Sequence, residues 1–101
     1  MLYSFVLIDK PGGLPLRQKV RPEHKAYLGA VADRIAFAGP FVSDEDQSMV
    51  GSLLVIDFPS RAAAHEWMAN EPFTKAGLYA STSVYAFQNL WPQKAGFPPA
   101  S

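Results

Sequence analysis

Cysteine is missing from this 101-residue chain. That absence excludes disulfides, thiolate metal sites and a cysteine nucleophile, and it fits a reducing compartment. An excess of either charge is missing too: nine Lys and Arg offset nine Asp and Glu. Without a basic cluster, no nucleic-acid partner is expected. Long apolar runs do not occur. The opening run, Leu2 to Ile8, is too short for a membrane span and carries neither a basic leader nor a small-residue cleavage site. No membrane partner and a cytoplasmic location are therefore expected. Two histidines are too few for a multi-histidine metal site, and neither a GxGxxG phosphate cradle nor a Walker-type lysine motif occurs. Internal repeats and low-complexity blocks are lacking as well.

What is present is apolar and aromatic enough to fold: 49% hydrophobic and 13% aromatic residues argue for a single domain with one modest core. Leu2 to Ile8, rich in branched and aromatic residues, predicts a strand that ends in the turn cluster Asp9-Lys10-Pro11-Gly12-Gly13. Leu14 to Val20 has room for one helical turn or two. Pro22 then suits the first turn of a main helix running to about Ala38, with Gly39-Pro40 as its stop. Phe41-Val42 predicts a short strand before a polar loop, and Ser52 to Phe58 a long one after it. Ser60 is a good N-cap for a helix over Arg61 to Ala69, which Asn70-Glu71-Pro72 breaks. Phe73 to Leu78 has the length of a short turn before a last strand, Ala80 to Leu90.

The order is β-α-β-β-α-β, which in one sheet predicts an α+β, ferredoxin-like fold over residues 1–90 with both helices on one face. Trp91 to Ser101 reads as an irregular C-terminal tail lying on a surface. Alternation in the first strand sends Tyr3, Phe5 and Leu7 one way and Leu2, Val6 and Ile8 the other. Leu53 and Val55 likewise oppose Leu54, Ile56 and Phe58. Two helices cover only one face, so the other is expected to leave an apolar patch of several hundred Å². A homodimer packed sheet against sheet is the expected remedy.

Chemistry is expected first at His24. In the predicted main helix His24, Leu28, Val31 and Ile35 step by four, three and four, placing the imidazole in the inward stripe. A buried imidazole needs a hydrogen-bond partner and exchanges a proton near neutral pH. It is either a catalytic base or a structural residue capped by a backbone carbonyl. Asp9, at the end of the first strand and on the face of Tyr3, Phe5 and Leu7, is the first candidate to orient it; the alternative is that Asp9 bonds amides of the turn. Arg21 precedes His24 by three residues and either holds an anionic substrate or is solvated, while Tyr27 follows by three and either lines the pocket or packs. Asp33 falls out of phase with His24. The loop Ser43-Asp44-Glu45-Asp46 lacks the glycine and closing glutamate of a calcium site, and His65 reads as a surface residue.

Several segments together resemble the YciI-like (YCII-related) proteins: Asp9-Lys10-Pro11-Gly12, Arg17, Arg21 to Leu28, Ala38-Gly39-Pro40, Gly51 to Ile56, and Asn70 to Tyr79. The resemblance runs over roughly Met1 to Leu90 and implies a dimeric α+β barrel of ferredoxin-like subunits. It also implies a His-Asp pair in a pocket, here His24 with Asp9 as the first candidate acid. One departure stands out: the family's usual Asp-Pro-Phe or Asp-Pro-Tyr reads Glu71-Pro72-Phe73, which makes Glu71 the weaker alternative acid. One relative resembles a dehydrochlorinase acting on a chlorinated hydroxyquinol. The expectation is a small cofactor-free enzyme of the lyase, dehydrohalogenase or isomerase kind, with no metal. Its site would lie between the sheet and the first long helix, lined by aromatic residues, with Arg21, Tyr27, Glu71 and Phe73 around the substrate. The alternative is a non-catalytic dimeric small-molecule-binding or accessory protein.

Overall fold

Strand β1 (Leu2–Asp9) alternates as its sequence predicts: Tyr3, Phe5 and Leu7 are buried, while Leu2, Ser4 and Val6 are half-covered and Ile8 is exposed. The computed structural model describes residues 1–91, so most of the expected tail lies outside the described residues. Strand β1 occupies the middle of a four-stranded antiparallel sheet, between β3 (Met49–Asp57) and β4 (Tyr79–Phe87), with β2 (Ile35–Val42) on the far edge beside β3. β3 packs so closely on β1 that a Cβ on Gly51 would lie 2.3 Å from the Leu7 carbonyl oxygen, so only glycine fits there.

Helix α1 (Leu14–Gly29) departs from the expected boundaries at both ends. It starts eight residues before Pro22, with Pro15 rather than Pro22 in its first turn, and it encloses Pro22. An internal proline removes one helical hydrogen bond and costs on the order of 3 kcal/mol, which tertiary packing of the helix outweighs here. α1 also ends at Gly29, well short of Ala38. After a 3-10 turn (Ala32–Arg34), residues expected to be helical form β2 instead. Ile35, Phe37, Phe41 and Val42 favour a pleated surface, and pairing with β3 (Ile35 opposite Ile56, Gly39 opposite Leu53) supplies backbone partners that an isolated helix end would lack. Pro40 is tolerated because β2 is an edge strand. Val31 and Ile35 therefore do not share a helix with His24.

Helix α2 (Arg61–Ala69) matches its predicted span, and Ser60 caps it by accepting from the Ala63 amide at 3.1 Å. A single turn, α3 (Pro72–Lys75), follows. Both longer helices lie on one face: Leu28 of α1 and Ala64, Trp67 and Met68 of α2 pack on a core of Tyr3, Phe5, Leu7, Leu54, Ile56 and Phe58. Each fully buried large side chain contributes about 1.5–3 kcal/mol. The opposite face carries Leu2, Val6, Ile8, Phe37, Leu53, Tyr85 and Phe87, with Phe37 and Phe87 meeting edge to face at 6.4 Å. No helix among the described residues is long and apolar enough to cross a membrane.

Candidate functional site

Residues seven apart lie on nearly the same side of an α-helix. Because α1 begins at Leu14, that spacing pairs Arg17 with His24, and both are buried against the sheet. Each meets a carboxylate from elsewhere in the chain. The Arg17 guanidinium donates from Nε to Asp9 Oδ2 at 2.7 Å and from Nη2 to Asp9 Oδ1 at 2.9 Å, a bidentate pair, and Nη2 also donates to Ser52 Oγ at 2.9 Å. About two turns further along, His24 Nδ1 hydrogen-bonds Glu71 Oε1, and Glu71 is fully buried.

The expected Asp9–His24 pair is thus replaced by two others. An earlier start to α1 brings Arg17, not His24, to the end of β1, and Asp9 has both oxygens engaged there. The acid on the imidazole is Glu71. Its longer side chain leaves the break before α3, caps that turn by accepting from the Thr74 amide at 3.3 Å, and accepts from the Tyr79 hydroxyl at 3.2 Å. Donors on both of its oxygens are the pattern a carboxylate accepts. A carboxylate at Nδ1 selects the form of the ring that carries a proton there, and leaves Nε2 as the free basic position.

Phe73 binds the cluster together. Its ring stacks on the imidazole, with centroids 4.1 Å apart and planes 19° from parallel, and the Arg17 guanidinium lies 4.6 Å from its centroid. Phe73 is fully buried, so it serves as a plate under the site and not as a surface that a substrate touches. Tyr79 meets it edge on at 6.1 Å. Burial pushes the Tyr79 hydroxyl far above the ordinary tyrosine range, and the Glu71 carboxylate beside it adds to the shift. The hydroxyl therefore stays protonated as a donor to Glu71.

Beside the imidazole lies a cavity of about 200 Å³, between α1 and strands β2 and β3, lined by Arg17, Arg21, His24 and Lys25 with Leu28, Gly39, Pro40, Ser52 and Leu54 among its walls. His24 Nε2 has no hydrogen-bond partner among the described residues, yet the only buried side-chain polar atom left unpartnered among them is Thr74 Oγ1. Nε2 therefore keeps solvent access, and the cavity that His24 lines is where that access opens. The lining contains three cationic side chains and no carboxylate, in a chain whose charges otherwise balance. Charge, not the expected aromatic surface, marks this wall.

Of the other predicted residues, Arg21 does line the cavity. Tyr27 does not: it turns to α2, donates to the Trp67 carbonyl at 2.8 Å and stacks near the Trp67 ring, lining a separate open groove with Phe58 and Glu66. Its hydroxyl is shifted upward by burial, then by Glu71 and Glu66. Arg17, Lys25, Ser52 and Tyr79 were not anticipated as site residues. The seven-residue step from Arg17 to His24 was the available signal, and Pro22, read as a helix start, concealed it. No group of three or more potential metal-ligating side chains occurs among the described residues.

The YCII-related domain family matches residues 1–88. Protein YciI of Escherichia coli O6:H1 is 35% identical over 98 residues, covering 90% of this chain and all of that protein. An uncharacterized protein of Haemophilus influenzae is 33% identical over the same shares. Among solved structures, the 5-chloro-2-hydroxyhydroquinone dehydrochlorinase of Burkholderia phenoliruptrix AC1100, in complex with 2,5-dihydroxybenzoquinone, superposes with a TM-score of 0.84 at 34% identity, covering 87% of this chain and 94% of that one. That neighbour is a member of the dimeric α+β barrel proteins, in keeping with the small α+β fold described above. With a match that runs from the first residue through the end of β4, this chain belongs to the YCII-related family.

Proposed function

We propose that this protein is an acid–base enzyme of the lyase or isomerase kind, acting on a small aromatic or enolic substrate whose proton is already acidic. One observation carries the reading: a buried glutamate holds one nitrogen of His24 while the other opens onto a cation-lined cavity of about 200 Å³. An apolar cavity of about 150 Å³ accepts a benzene ring, so this one suits a single substituted ring. His24 Nε2 serves as the base, and Glu71 orients the ring and stabilises the imidazolium that forms. Arg17, through the guanidinium nitrogen that neither Asp9 nor Ser52 occupies, stabilises the developing oxyanion.

The dehydrochlorinase neighbour supports the choice of reaction class. For a chlorinated hydroxyquinol, Nε2 first takes a hydroxyl proton and the imidazolium delivers it to the chlorine-bearing carbon, giving the keto form with that carbon tetrahedral. Nε2 then takes a second hydroxyl proton, the O–H pair becomes a new C=O bond, the ring double bond shifts onto the tetrahedral carbon, and chloride departs with the electrons of the carbon–chlorine bond. The imidazolium then returns its proton to solvent. A positioned imidazole contributes about 10²–10⁴ in rate. The reading also assigns the open sheet face, on which Phe37, Tyr85 and Phe87 are exposed, to a second copy of the chain. Chloride release from 5-chloro-2-hydroxyhydroquinone tests the chemistry. Activity that is lost in His24→Asn with an unchanged melting temperature supports it; a variant that turns over as fast as the parent protein overturns His24 as the base, and a parent protein that releases no chloride overturns the reaction.

A further inference from the structure

The mouth of the His24 cavity is built differently from its floor. On the floor, the Arg17 charge is balanced within the protein by the Asp9 carboxylate. Arg21 and Lys25 line the same cavity but are exposed, and among the described residues neither makes an ion pair or a side-chain hydrogen bond. They are four residues apart on α1, a spacing that places like charges side by side and mildly destabilises a helix. The same two residues also wall a second, more open hollow of about 500 Å³, completed by Gln18, Pro22 and Met49. Arg21 and Lys25 are therefore the common lip of an inner chamber, which holds the imidazole, and an outer one.

A substrate confined to the inner chamber would leave the outer hollow unused and would meet the two unbalanced charges from one side only. Building on the acid–base reading of His24, we infer that the substrate is a ring-bearing carboxylic acid. Its acidic ring lies in the inner chamber, and its carboxylate lies at the lip between Arg21 and Lys25. The guanidinium fork matches a carboxylate in plane, and the ammonium supplies a second point charge from one helical turn away. Glu71 and Asp9 are both engaged beneath the floor, and no carboxylate lines either chamber among the described residues.

Calorimetric titration of the full chain with 2,5-dihydroxyphenylacetate and with hydroquinone tests this, since the two share a ring and differ in the carboxylate arm. The acid should bind about tenfold more tightly or better, with an advantage that shrinks as ionic strength rises. Arg21→Gln with Lys25→Gln, both exposed positions given good helix formers, should weaken the acid and bring the two ligands within about twofold of each other. His24→Asn should keep the advantage, which separates the carboxylate site from the base. Equal affinities in the parent protein, no measurable binding of the acid, or an advantage that survives in the double glutamine variant would each overturn the inference. Chloride release by His24→Asn reports separately on the acid–base reading.

Discussion

Two buried carboxylates hold two basic side chains of the same helix, and the pairs differ in one chemical respect. Asp9 grips Arg17 through two parallel hydrogen bonds, and Arg17 spends a further donor on Ser52. Glu71 grips His24 through one nitrogen only and leaves the other facing a cavity. A guanidinium keeps its proton at any working pH, whereas an imidazole exchanges one near neutrality. The first pair can therefore position and polarise but never shuttle a proton; the second can do both. Seven residues of helix separate a strut from a candidate base.

The largest expected effect breaks the second pair. His24→Asn keeps an N–H donor for Glu71 but removes the basic nitrogen, and kcat should fall about 10²–10⁴-fold with little change in unfolding midpoint. Asp9→Ala breaks the first pair and leaves a buried guanidinium unmatched, so urea unfolding should show a loss of about 3–5 kcal/mol. If the two variants exchanged phenotypes, the contrast between strut and base would be reversed.

Smaller effects sharpen the contrast. Tyr79→Phe removes one donor from Glu71 and should cost about 1 kcal/mol in the same unfolding experiment. Because the folded-state Tyr79 pKa is raised, the unfolded chain ionises first on the alkaline side. Stability should be complete below the ordinary tyrosine value of 10.0 and decline as pH rises above it, and Tyr79→Phe should reduce that decline. The smallest effect belongs to an exposed carboxylate. Hydrogen bonds from the Ser43 and Ser48 hydroxyls and the Ser48 amide hold Asp46 down to about 2, from an ordinary 3.8. Its contribution is present above the ordinary value and lost as pH falls through the folded one, so Asp46→Asn should flatten stability between about pH 4 and pH 2 by a barely measurable amount.

Local patterns carried the sheet. Alternation in β1 identifies the buried face residue by residue. In β3 Leu54 and Ile56 point to the core as expected while Val55 opposite them is covered as well, and Ser60 marks the start of α2 through its cap. Boundaries of α1 were not legible. Propensity places Pro22 at a helix start, but packing of Arg17, His24 and Leu28 against the sheet outweighs one missing hydrogen bond. The same error hid Arg17 from the site, and with it the true partner of Asp9. His24 was legible because a histidine in an inward stripe needs a partner, whatever the helix limits are. Which acid that partner is depends on where β1 ends and α3 begins in space, and spacing along the chain does not supply that distance.

Residue order alone was enough to establish the layered architecture, the apolar second face of the sheet and the one titratable ring worth following. These depend on periodicity and local backbone preference, which act over a few residues. Folding settled the rest: that Glu71 and not Asp9 lies against His24 Nδ1, that Tyr27 faces away, and that Arg21 and Lys25 form the lip of a cavity. His24 and Glu71 are 47 positions apart, and only the packing of α1 and α3 on one face of the sheet closes that gap.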